Sequence, residues 1–142
     1  MTHKINFPIG DWSDDGHGKC DWFLVESNKD VLAVREAHFQ CPQILGFDIG
    51  DICSEYEVRA LDKKIHAKLV EEGIFRNRHF EDEYEGEYEM SPESLMNLWT
   101  DILMYIDPEL HLEICKPHDC IHFYGFDDKK RHLSTPGYGL YE

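Results

Sequence analysis

The chain has 142 residues, with 29 Asp+Glu against 14 Lys+Arg and a formal net charge of −15. An apolar content of 42% that includes 18 aromatics is too high for generic disorder. There is no run of ~18 apolar residues to form a membrane helix, and the acidic balance disfavours direct nucleic-acid binding, which needs a basic surface.

In chain order, residues 3–9 read as a short strand. The stretch GDWSDDGHGKC (10–20) is a loop, because its glycines, aspartates and serine stop any regular element. DWFLVES (21–27) is a short apolar run entered from that turn and reads as a strand. A helix follows over 28–41. Asn28 is its expected cap, Val31, Val34 and Ala37/His38 supply the 3–4 spacing, and Pro42 is the expected stop.

QILGFDIGDI (43–52) reads as a strand or an irregular segment, since two glycines interrupt its apolar run. Ser54 opens an S-E-Y-E capping box, and Val58, Leu61, Ile65 and Leu69 mark a helical face that Gly73 ends. A strand over 55–61 followed by a shorter helix competes with that reading. IFRNRHF (74–80) is expected to pair with the next stretch as a hairpin through 81–83.

That next stretch, EDEYEGEYEMSPE (81–93), holds seven acids and no base, nearly half of the net excess. Within it Tyr84, Gly86, Tyr88 and Met90 alternate with Glu85, Glu87 and Glu89, the pattern of a strand with one solvated face. Charges along an exposed edge keep strands from pairing with other chains. The same face also suits docking of a basic protein partner, and Glu85, Glu87 and Glu89 are the candidate contacts.

Ser91-Pro92 is a helix start, with Ser as cap and Pro in the first turn. Leu95, Leu98/Trp99, Ile102/Leu103 and Ile106 carry a core stripe to Asp107-Pro108. HLEIC (111–115) and CIHFYGF (120–126) read as two strands around a tight KPHD turn, and the tail from Asp127 reads as irregular. Lys129, Lys130 and Arg131 beside Asp127 and Asp128 form a neutralised turn with no nucleic-acid meaning. Strands and helices intermingle without a βαβ repeat. The expected class is α+β: one domain over 1–142, mostly antiparallel sheet with about three helices.

The opening MTHKINFPIGDW has no apolar stretch of the secretory kind, so a cytoplasmic setting is expected. The five cysteines are odd in number and are expected as thiols, with Cys41 and Cys53 as small buried hydrophobes. Two segments offer chemistry. One is His111, Cys115, His118, Cys120 and His122 within twelve residues, where thiolate and imidazole suit zinc or another divalent transition metal.

The other segment is the H-x2-C pair His17 and Cys20 among Asp11, Asp14, Asp15 and Asp21. A Cys20 nucleophile is disfavoured because those aspartates oppose a thiolate. No HExxH, P-loop, GxSxG or EF-hand spacing occurs. The first expectation is a non-catalytic binding or inhibitory module docking a basic partner through the glutamate-rich strand. The alternative is a metal-binding protein or metal-dependent hydrolase using His17, Cys20, Cys115, His118, Cys120 and His122.

Overall fold

The computed structural model describes residues 2–11, 19–52, 60–115 and 121–124, with side chains over 2–5, 23–52, 60–91 and 93–115. The class is α+β. Strands β1 (His3–Asp11) and β2 (Lys19–Ser27) pair antiparallel from His3↔Ser27 to Asp11↔Lys19. Both run longer than the apolar pattern indicates, because the ladder continues into the polar ends of each strand.

Strand β5 (Leu112–Ile114) joins the C-terminal half of β2, through Val25↔Ile114 and Ser27↔Leu112. Strand β6 (Ile121–Tyr124) joins its N-terminal half, through Trp22↔Ile121 and Lys19↔Tyr124. Both are antiparallel to β2 on the edge opposite β1, so they run in the same sense, one beyond the other. The two strands expected around KPHD are both present and both pair with β2, and the turn itself lies outside the described residues. The sheet is one-sided where its side chains are described: Ile5, Phe23, Val25 and Leu112 are buried, while Lys4 and Glu113 are exposed.

Helix α1 (Val31–Phe39) starts two residues later than Asn28 suggests. Asp30 is its cap, and its carboxylate accepts from the Ala33 N–H at 3.0 Å. Asn28 instead ties β2 to the chain entering β5. Its Nδ2 donates to the Glu109 carbonyl at 2.9 Å, and its Oδ1 accepts from the His111 N–H at 2.7 Å. Pro42 begins a helix here. It lies in the first turn of α2 (Cys41–Leu45), which Gly46 closes with φ +82°. A 3-10 turn, Ile49–Asp51, occupies the segment read as a strand or irregular.

The proposed capping box at Ser54 falls in residues 53–59, outside the described residues. The shorter helix is the one observed. Helix α3 (Lys63–Glu71) is capped by Asp62, which accepts from the Lys64 and Ile65 N–H groups, and the helix gives way to Gly73 at φ +73°. Ala60 forms a bridge to Glu89 ahead of it.

Helix α4 (Pro92–Ile106) starts where Ser91-Pro92 places it, with Ser91 Oγ accepting from the Ser94 N–H at 3.1 Å. It is the central element of the core. Met96, Leu98, Trp99, Ile102 and Leu103 are essentially inaccessible and meet side chains from α1, α2 and the sheet. Cys41 is fully buried in the same cluster, and burial pushes its thiol up to about 12, so it serves as a small hydrophobe. Cys53 lies outside the described residues. Among the described residues no helix is long and apolar enough to cross a membrane.

Candidate functional site

The acidic stretch folds as a hairpin, which corrects the single strand expected over 84–90. Strand β3 (Asp82–Tyr84) pairs with β4 (Glu87–Glu89) through Asp82↔Glu89, Glu83↔Tyr88 and Tyr84↔Glu87. Glu85 (φ +51°) and Gly86 (φ +82°) form the two-residue turn. Positive φ at both central positions is what a tight hairpin requires, and Gly86 supplies one of them without strain. The two-residue turn inverts the period-2 alternation, so Tyr84 comes onto the face of Glu87 and Glu89 and not onto that of Tyr88, as the single-strand pattern had it. Residues 74–80 do not pair with it and contain a 3-10 turn at Asn77–His79.

Aromatic side chains seat the hairpin. The Tyr88 ring lies 4.8 Å from Phe80, 5.0 Å from Phe75 and 4.7 Å from His66, and Phe75 stacks on Phe80 at 5.5 Å. Strand pleating puts Asp82, Tyr84, Glu87 and Glu89 on the face away from Tyr88. All four are exposed, Tyr84 at 74%. Asp82 and Glu89 stand directly opposite each other, and like charges so placed repel. Lys63 Nζ lies 3.9 Å from Glu87 Oε1, an exposed and weak pair. Of the three expected contacts, Glu87 and Glu89 lie on this face and Glu85 is at the turn.

A second feature is a cleft of about 380 Å³ between α4, the 77–79 turn and β5. At its polar end Asp101 receives a contact from His79, whose Nε2 is 2.6 Å from Asp101 Oδ2. His79 Nδ1 accepts from the Arg76 N–H at 3.0 Å, so the ring proton is on Nε2 and is donated to the carboxylate. The ring is fully buried and both its nitrogens are engaged, so it positions Asp101 and has no lone pair left for a substrate. Arg78 lies 3.4 Å from the same oxygen through Nε and donates to Asn97 Oδ1 at 3.0 Å through Nη2. Met104, Leu112 and Ile114 form the apolar wall, and the Leu112 N–H approaches Met104 Sδ at 3.4 Å.

Of the candidate His/Cys cluster, His111 and Cys115 have described side chains: His111 is exposed, and Cys115 lines this cleft. Its N–H donates to the Leu24 carbonyl, four positions along β2 from Cys20. The β2–β6 ladder does bring the two sequence segments together, with Cys20 opposite Phe123 and Asp21 opposite His122. His17, His118 and Cys120 lie outside the described residues, as do the side chains of Cys20 and His122. Among the described residues, no cluster of three metal-ligating side chains occurs.

Sequence reasoning missed His79, Asp101 and Arg78. A faint signal existed, since Asn97 and Asp101 are polar residues at i, i+4 inside an apolar helix. His79, however, sat in a segment that read as a strand. Compared with protein-family models, curated proteins and solved structures, the chain gives no significant match.

Proposed function

We propose that the chain is a non-catalytic binding module that docks a basic protein partner through the outer face of the β3–β4 hairpin. The observation that carries this reading is the directly opposed Asp82–Glu89 pair, an arrangement unfavourable within the hairpin and relieved by a cation set against it. Support also comes from Tyr84, a largely exposed aromatic beside Glu87 that offers a ring face to a Lys or Arg side chain. At the tip, Glu85 adopts a left-handed conformation that Asn or Gly would adopt with less strain, so a carboxylate occupies the point of first encounter.

The test is fluorescence anisotropy with a labelled hexalysine peptide at low and moderate salt. Replacing Asp82, Glu87 and Glu89 by their amides is expected to lower affinity about tenfold or more and to flatten its salt dependence, as expected when complementary charge is lost. A control with equal charge change, Asp51→Asn, Glu71→Gln and Glu109→Gln, changes exposed carboxylates elsewhere. Equal loss in both variants would mean that net charge alone acts, and the hairpin reading would fail.

A further inference from the structure

Helices α1 and α2 are joined as one unit. Gln40 closes the first and opens the second, donating to the Glu36 carbonyl and accepting from the Ile44 N–H, both at 3.1 Å. The pair buries Val34, Ala37, His38, Cys41 and Leu45 and leaves Leu32, Phe39 and Ile44 exposed. An element that buries mostly small side chains and turns large apolar ones outward has low local stability. Just before the pair the chain is clamped, Asn28 to Glu109 and His111, and Lys29 to Asp107 at 2.8 Å. Just after it Gly46 turns the chain at φ +82°. These are the two points between which the pair can part from the rest.

His38 stands on the inward side of this unit. It is buried 5.9 Å ring to ring from Trp99 of α4, and its Nδ1 has no hydrogen-bond partner. Around it α4 brings the uncharged Trp99, and α2 brings the Cys41 thiol, which burial keeps un-ionised. Among the described residues, the charge that acts on it is the Asp48 carboxylate beyond α2, and burial outweighs that pull. We propose that α1 and α2 form a proton-operated flap. Proton uptake by His38 releases the pair from α4 as a unit between residue 29 and Gly46, while α4 and the sheet stay folded, and uncovers the side of α4 that carries Trp99.

An imidazolium in the closed position has an N–H at Nδ1 and no acceptor for it, whereas in the open position both nitrogens meet water. The closed form is fully favoured above the ordinary imidazole value of 6.5, and that advantage is lost as pH falls toward the buried value of about 4.

Amide hydrogen exchange on the full chain at pH 7 and pH 5, corrected for intrinsic rates, tests this. Val34, Gln40 and Ile44 are expected to open together, with protection lower by about tenfold or more than at Ile102 and Leu103 of α4. From pH 7 to pH 5 their protection should fall about 20-fold, the ratio that the two imidazole values give. In His38→Phe it should stay nearly constant, and His38→Leu gives the same comparison if the phenyl ring is not accommodated. Equal protection in α1, α2 and α4 would mean that opening is global. Protection that does not fall on acidification, or that falls equally in the native chain and the variants, would mean that His38 does not operate the flap. Any of these results overturns the proposal.

Discussion

Acidification should destabilise this protein through His38, and the effect can be worked out from its surroundings. His38 is 3% exposed on the inner face of α1, 5.9 Å ring to ring from Trp99, and its Nδ1 is buried without a hydrogen-bond partner. Burial holds the imidazole well below its ordinary 6.5, at about 4, and the Asp48 carboxylate pulls weakly the other way. The unfolded chain therefore takes up a proton at a pH where the folded one does not. The stabilising contribution is complete above the unfolded value and is lost as pH falls from there through the folded value.

With those two values, the linkage relation gives a loss of about 2 kcal/mol between pH 7 and pH 5, rising to roughly 3 kcal/mol by pH 4. Against a typical domain stability of ~5–15 kcal/mol, that is a large fraction. The assay is urea unfolding followed by tryptophan fluorescence at pH 7 and pH 5, on the native chain and on His38→Phe. Phe keeps the ring but cannot titrate, and it removes the unsatisfied nitrogen. The variant should match or exceed the native stability at pH 7, and its fall on acidification should be smaller by about 2 kcal/mol. Parallel pH profiles for the two proteins would show that His38 binds its proton equally well folded and unfolded, and the burial argument would be refuted.

Two further outcomes follow from local geometry. Glu85→Asn places a residue tolerant of the left-handed region at φ +51°, so thermal unfolding should shift upward by the equivalent of about 0.5–1 kcal/mol. No change there would mean that the turn is not populated as described. Asn28→Ala removes both side-chain bonds that hold residues 109–111 to the end of β2. It should cost roughly 1–2 kcal/mol in urea unfolding and raise the amide exchange rates of Leu112 and Ile114.

Sequence alone placed the elements whose ends are marked by local chemistry. Ser91-Pro92 fixed the start of α4, because the cap bond and the proline backbone angle act within one turn. Gly73 likewise marked the exit of α3. Asn28 and Asp30 are both competent caps two residues apart, and long-range bonds to 109–111 decided between them. Pro42 was ambiguous because a proline that ends one helix is equally suited to the first turn of the next. The cleft was least legible. It joins Arg78, Asp101 and Leu112 from three separate elements, and no spacing along the chain records that meeting.

The hairpin shows why the net charge is better treated as a local property. Its outer face opposes Asp82 to Glu89, unfavourable by about 0.2–1 kcal/mol, and its turn holds Glu85 in a left-handed state at roughly 1–2 kcal/mol. The packing of Tyr88 on Phe75, Phe80 and His66 works against this, at about 0.5–1.5 kcal/mol per ring pair beyond simple burial. One side of the strand pair thus supplies the stability that the other side consumes.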